Sequence, residues 1–214
     1  VDAAGGAMVK TVDTMLAKGK TIAAQVLEAA EADIAYKDGR FEVVGTDRRI
    51  SLFELATRAK EMKQRGEIAE DLDTKTTTET PLTFPNGCHV AEVEIDPDTG
   101  QVTVATYTAV DDCGNVLDHT LVEGQIHGGL AQGLGQALLE RAVYEDGSGQ
   151  LVTGSFMDYA MPRAHHMPPV LRTGDHPVPA TTNPLGVKGV GEAGTTASLA
   201  AIMNAIGDAI PNGA

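Results

Sequence analysis

The sequence predicts an α+β fold in which antiparallel hairpins are packed with helices, and three observations carry that reading. Apolar residues recur at three- and four-residue steps in long stretches near both ends of the chain, as helices with a packed face require. Alternating apolar and polar residues flank turn sequences at Asp38-Gly39, Asp96-Pro97-Asp98-Thr99-Gly100 and Asp146-Gly147-Ser148-Gly149, as hairpins require. The 214 residues, 42% hydrophobic and 21% charged, have an ordinary globular balance and are enough to bury a core.

Taken in order, Met8, Val9, Val12, Met15, Leu16, Ile22, Val26, Leu27 and Ala30 form the apolar stripe of a helix expected from Ala3 to about Ala32. Asp38-Gly39 then centres a hairpin within residues 33–44. Ser51 begins a second helix as its N-cap, with Glu54 placed for a reciprocal capping box and Ile50 and Leu55 for a hydrophobic staple, and this helix is expected to end near Gln64. Residues 71–85, rich in Thr and holding Pro81 and Pro85, read as an extended crossing. The clearest strand pair follows, with Ala91, Val93 and Ile95 before the turn and Val102, Val104, Thr106, Thr108 and Val110 after it. A shorter hairpin joins 142–144 to 151–152, and the last helix, apolar nearly all round from Thr195 to Ile210, reads as a buried one. The whole is expected to be a single partial domain, 1–85 making a helix, hairpin, helix and crossing, and 86–214 the later hairpins and two glycine-rich segments.

Charge excludes some partners. With 16 Lys and Arg against 30 Asp and Glu the formal net charge is −14, the wrong sign for nucleic acid or an anionic membrane surface. No apolar run nears the roughly 18 residues of a membrane span and no basic segment precedes one, so the chain reads as cytoplasmic. Cys88 and Cys113 are isolated and read as reduced thiols. The 24 glycines, with no Trp, four Tyr and four Phe, imply backbone running very close to another backbone or to a ligand.

Two segments hold that glycine. In 123–140, Ile126, Leu130, Leu134 and Leu138 keep helical spacing although Gly128, Gly129, Gly133 and Gly135 lie among them, at a cost of about 1 kcal/mol each relative to alanine. Tight helix packing is one reason to keep them; a ligand approaching a glycine-lined helix start is another. Gln125, Gln132 and Gln136 share a face and supply uncharged donors and acceptors. The second segment, 183–196, contains Gly189, Gly191 and Gly194 in the pattern G-x-G-x-x-G, but a Pro/Gly loop precedes it instead of a strand, so a dinucleotide fold does not fit. What remains is one carboxylate, Glu192, at a helix start with Lys188 four residues before it. The residues alone leave it two jobs, complementing the helix dipole or acting as a general base.

Three ordered motifs then coincide: 124–138 (GQIHGGLAQGLGQAL), 153–162 (TGSFMDYAMP) and 183–194 (NPLGVKGVGEAG). Together they resemble the C-terminal part of the molybdenum-binding large subunit of the xanthine dehydrogenase and aldehyde oxidase family, in particular its bacterial branch of carbon monoxide dehydrogenase-like and aldehyde-oxidising enzymes. The resemblance implies part of that family's α+β molybdenum-binding domain and a molybdopterin cofactor, in its cytosine dinucleotide form. It implies Glu192 as the catalytic base, deprotonating a metal-bound hydroxyl whose attack on an aldehyde or N-heterocycle is followed by hydride transfer to a molybdenum sulfido group. It places Gln125 near the metal's oxygen ligands, and Gly124, Lys188, Gly189, Val190 and Gly191 with the cofactor, so that 124–135 and 186–194 form two walls of one pocket. Gly6 and Ala7 resemble a segment that contacts the cofactor's phosphates. The implied partners are the rest of the large subunit, a [2Fe–2S] subunit, an FAD subunit and a small-molecule substrate. A dithiolene supplies the sulfur donors, so no protein ligand to the metal is expected, and His127, His165 and His166 are expected in surface or loop roles. Family large subunits are several times longer, so these residues are expected to be one part of such a subunit. The alternative, from a different class, is a non-catalytic fragment or structural module that binds no cofactor by itself.

Overall fold

The computed structural model describes residues 2–79 and 82–210. The chain divides into two compact units, Val1–Thr80 and Pro81–Ala214. The division falls inside the Thr-rich crossing, of which residues 71–79 and 82–85 hold no helix or strand and residues 80 and 81 lie outside the described residues.

In the first unit, α1 spans Asp2–Val26. It stops before Ala32 because Glu28 turns to a positive φ of 49°, the Glu28 N–H donates to Gln25 O and the Ala29 N–H to Ala24 O. That is a Schellman ending with glutamate where glycine is usual, and Arg48 completes it by donating to the carbonyls of Leu27 and Glu28. Strands β1 (Ile34–Lys37) and β2 (Arg40–Val43) form the expected hairpin, with Asp38 and Gly39 both at positive φ as a type I′ turn demands. A short β3 (Arg49–Ser51), not anticipated, pairs antiparallel with β2. Helix α2 runs Leu52–Gln64 with the Ser51 hydroxyl accepting from the Glu54 N–H at 3.2 Å. The reciprocal half of the capping box is replaced, because the Glu54 carboxylate binds Arg58 at 3.0 Å. Ile50 and Leu55, the staple pair, are buried in one core with Ile22, Phe41 and Leu72.

In the second unit, β4 (Asn86–Ile95) and β5 (Val102–Asp112) form the long antiparallel hairpin. One correction matters for function. A bulge opposite Glu92/Val93 slips the register, so Val104 is buried but beyond it the buried face belongs to Tyr107, Ala109 and Asp111, and Val110 is exposed. A sixth strand, β6 (Val170–Asp175), pairs parallel with β5, so the sheet is mixed instead of built from hairpins alone. The hairpin at 146–149 reduces to a single bridge between Tyr144 and Leu151. Helix α3 (His119–Leu138) starts at an Asp118 N-cap, earlier than the glycine pattern indicated, and packs against α4 (Ala193–Ala209). Contrary to expectation, α4 buries one line of residues, Gly194, Ser198 and Ile202, and leaves Met203 and the C-cap residue Ile210 about half exposed. Ile126, Leu130, Leu134, Ile202 and Tyr107 share the core of this unit.

Candidate functional site

The glycines of α3 are interior to the helix, so their N–H groups lie in its ladder and do not form a free helix start. Gly129 and Gly133 serve packing. A Cβ on Gly129 would lie 2.6 Å from the Thr195 nitrogen and one on Gly133 would overlap Ser198, while a Cβ on Gly194 would strike the Ile126 carbonyl. The two helices cross backbone to backbone, and Thr195 Oγ1 donates across the crossing to Gly129 O at 3.1 Å. Gly124 and Gly128, by contrast, meet nothing within 4 Å.

The loop before α4 is held from several sides. Asn183 clasps Val187, its Nδ2 donating to Val187 O and its Oδ1 accepting from the Val187 N–H, and Asn115 Nδ2 donates to Leu185 O at 2.8 Å. The Lys188 N–H donates to Cys113 O, and its ammonium meets Asp112 Oδ2 at 2.5 Å. Asp112 also accepts from the Gly114 and Val178 amides. Burial of Asp112 favours its neutral form, but the Lys188 hydrogen bond, those two amides and the Lys188 charge outweigh it and hold the pKa at about 2. Lys188 is therefore committed to Asp112, and the Val190 side chain packs on the core. What the loop presents is glycine backbone followed by Glu192.

Glu192 is the N-cap of α4, yet its side chain caps nothing; only its carbonyl is used, accepting from the Thr196 N–H and hydroxyl. Glu192 lines a cleft of about 400 Å³ together with Gly189, Gly191 and Thr196. A Cβ at Gly191 would sit 3.7 Å from Gln125 Oε1, so the Gln125 amide reaches the residue preceding Glu192. The structure thus brings Gln125, Gly189, Gly191 and Glu192 together. The facing wall of the cleft is not the α3 glycines but the start of β4 and the end of β5, through Asn86, Gly87, His89 and Asp111. Gly6 and Ala7 lie in the second turn of α1 in the other unit.

His89, Asp111 and Tyr107 escaped the sequence reading. His89 Nε2 lies 3.3 Å from both oxygens of Asp111, and His89 Nδ1 lies 2.9 Å from Tyr107 Oη. Burial, with the Asp111 charge, pushes the Tyr107 pKa up, keeping its hydroxyl a donor. The available signal was an acid two and four residues beyond buried Ala109 and Tyr107 on one strand face, visible only once the bulge sets the phase.

Among the described residues no group of three or more His, Cys, Asp and Glu is placed to hold a metal ion. His127 is partly exposed beside Glu123, and His165 and His166 lie in one 3₁₀ turn with ring centroids 4.0 Å apart and ring planes tilted by 53°. Open glycine backbone, amide side chains and one free carboxylate suit a cofactor that brings its own metal ligands and needs only hydrogen bonds.

Comparison with known proteins agrees. Residues 1–168 match the molybdopterin cofactor-binding domain. The chain is 36% identical to the gamma subunit of the 6-hydroxypseudooxynicotine dehydrogenase complex of Paenarthrobacter nicotinovorans, over 98% of this chain and 27% of that protein. It superposes on the Cu,Mo-CO dehydrogenase with a TM-score of 0.80 at 30% identity, covering 96% of this chain and 26% of the other, and on quinoline 2-oxidoreductase from Pseudomonas putida 86 with 0.76 at 36% identity, covering 92% and 25%. An α+β chain whose glycine loop offers a free carboxylate beside an uncharged amide is thus of the molybdenum-hydroxylase class in fold. The chain belongs to the molybdopterin cofactor-binding domain family, and it spans about a quarter of the length of the relatives it matches.

Proposed function

We propose that this chain is part of the large subunit of a molybdenum-dependent hydroxylase or dehydrogenase that oxidises an aldehyde or a xanthine-like N-heterocycle, with Glu192 as its general base. The observation that carries the reading is Glu192 at a helix start, its side chain capping nothing, on a cleft that Gly189 and Gly191 also line and with Gln125 near Gly191. Bound molybdopterin, proposed in its cytosine dinucleotide form, supplies the two-electron acceptor. Gln125 and the backbone of Gly189, Val190 and Gly191 would hydrogen-bond to it; Gly124, Gly6 and Ala7 are assigned to the cofactor only by the resemblance of their motifs, and the Gly124 N–H lies within the α3 ladder. Lys188 acts through Asp112, fixing the loop. Glu192 receives a proton at its free Oε atoms, which no cap or ion pair occupies among the described residues. Electrons pass on to [2Fe–2S] and FAD partner subunits, and the assembly is cytoplasmic; no helix among the described residues is long and apolar enough to cross a membrane.

Glu192→Gln in the assembled enzyme tests this. Molybdenum content is expected to stay near that of the parent while kcat falls by roughly 10²–10⁴, the usual contribution of a positioned base. Activity within a few-fold of the parent overturns the assignment, and an assembly without molybdenum favours a structural module instead.

A further inference from the structure

One of the three ordered motifs, 153–162, supplies no residue to the cleft, and its side chains divide into two sets. The inward set builds a turn. The Ser155 hydroxyl donates to Asp158 Oδ2 at 2.9 Å and accepts from the Met157 N–H, while the Ser155 carbonyl accepts from the Asp158 and Tyr159 amides. Tyr159 Oη donates to Glu140 Oε2 at 3.2 Å, just beyond the end of α3, and Pro162 lies so close to α3 that a Cβ on Gly135 would be 2.9 Å from its Cδ. At the start of the motif Thr153 Oγ1 accepts from the Val143 N–H. Each of these polar side chains and the proline thus has a local use.

The outward set has none. Phe156 and Met157, in the turn itself, are 79% and 92% exposed, and Tyr144, Val152 and Met161 in the same stretch are about half exposed or more. One apolar side chain in water is ordinary, but several gathered on one short segment mark a face that another protein covers. The hydrogen bonds of the turn hold Phe156 and Met157 outward before any partner arrives, so little ordering remains to be done on docking.

Charge narrows the occupant. Residues 81–214 hold 15 Asp and Glu against four Lys and Arg, and the stretch around the turn carries Glu140, Glu145, Asp146 and Asp158 against Arg141. Two copies placed face to face would bring like charges together, so the face fits a different surface, apolar at its centre and rimmed by Lys and Arg. The chain spans about a quarter of the length of its relatives, which leaves most of a large subunit to supply such a surface.

We propose that the turn carrying Phe156 and Met157 is a docking plug, seated in an apolar, basic-rimmed recess of the remaining part of the large subunit. This rests on the reading of the chain as part of such a subunit and is independent of the role of Glu192. The test places the photo-crosslinker p-benzoylphenylalanine at position 156 of the assembled enzyme, with the same group at exposed Asp98 in the β4–β5 turn as the reference, and maps the crosslinked peptides by mass spectrometry. Crosslinks at 156 are expected to reach large-subunit peptides outside residues 1–214, at several times the yield from 98. Crosslinks that fall instead on a second copy, on residues 1–79 or on an iron–sulfur or FAD subunit overturn the proposal, as does a yield no greater than that from 98. Should the labelled enzyme not assemble, Phe156→Ala combined with Met157→Ala decides: recovery of assembled enzyme is expected to fall about tenfold, the scale of losing an aromatic anchor, and unchanged recovery overturns the proposal. The outcomes separate from those of Glu192. Crosslinks to the rest of the subunit with turnover retained in Glu192→Gln keep the docking face and remove the base, and the converse result does the opposite.

Discussion

Gly129 and Gly128 are neighbours in one helix with opposite meanings. Gly128 faces open space and Gly129 faces the backbone of α4. Gly129→Ala must separate two helices whose contact atoms are backbone, which overpacking data put at about 1–3 kcal/mol, against the roughly 1 kcal/mol that alanine gains in helix propensity. Gly128→Ala collects the gain without the clash. The urea midpoint is therefore expected to fall in Gly129→Ala and to hold or rise in Gly128→Ala; equal behaviour would mean that the crossing is not the constraint. The sequence offered packing and ligand approach as reasons for these glycines, and distance separates them. Gly129, Gly133 and Gly194 belong to packing, while Gly189 and Gly191 face the cleft.

Helix α2 was legible because its start is chemical. A hydroxyl three residues before a free N–H specifies an N-cap whatever surrounds it, and Ser51→Ala is expected to cost about 1 kcal/mol, measured as a lower denaturation midpoint. Glu54→Ala should cost less, about 0.3–0.5 kcal/mol, because Glu54 makes an exposed pair with Arg58 and no reciprocal cap. The end of α1 was not legible. Glutamate at a left-handed position carries no warning, and the stop depends on Arg48, 20 residues away from Glu28. Strand β5 failed for a related reason: its apolar alternation continues smoothly through a bulge that moves the buried face by one residue. That slip concealed Asp111, and with it the far wall of the cleft. Strand β6 was missed because its pairing with β5 is parallel and no turn joins the two.

Each of the two units closes its own apolar core, and in the second an ion pair joins residues 76 positions apart. Asp112 at the end of β5 holds Lys188 in the glycine loop, with a folded pKa of about 2 against an ordinary 3.8. The folded value is depressed, so the stabilisation is complete above pH 4 and is lost as pH falls from there toward 2, about 2 kcal/mol in all. Acid titration followed by near-ultraviolet and amide signals of the second unit should show that loss. In Lys188→Met the buried carboxylate keeps its amides but loses its counter-ion, which is expected to cost about 3 kcal/mol at neutral pH and to shrink the acid-dependent step. A step of unchanged size would show that other carboxylates govern it.

The sequence determined those features whose cause is local. The type I′ turn at Asp38-Gly39, the Ser51 cap, the long hairpin and the placement of Glu192 at a helix start each depend on a few neighbouring residues, and the ordered motifs pointed to the family. Folding in three dimensions decided what depends on distance between remote segments. It showed that Lys188 answers to Asp112, that Gly129 and Gly133 serve a helix crossing, and that Glu192 shares a cleft with a buried His89–Asp111 pair, because hydrogen bonds and collisions act through space while a sequence records only order. Of the two reasons the glycine content offered, close approach of another backbone holds at Gly129, while Gly189 and Gly191 border an open cleft.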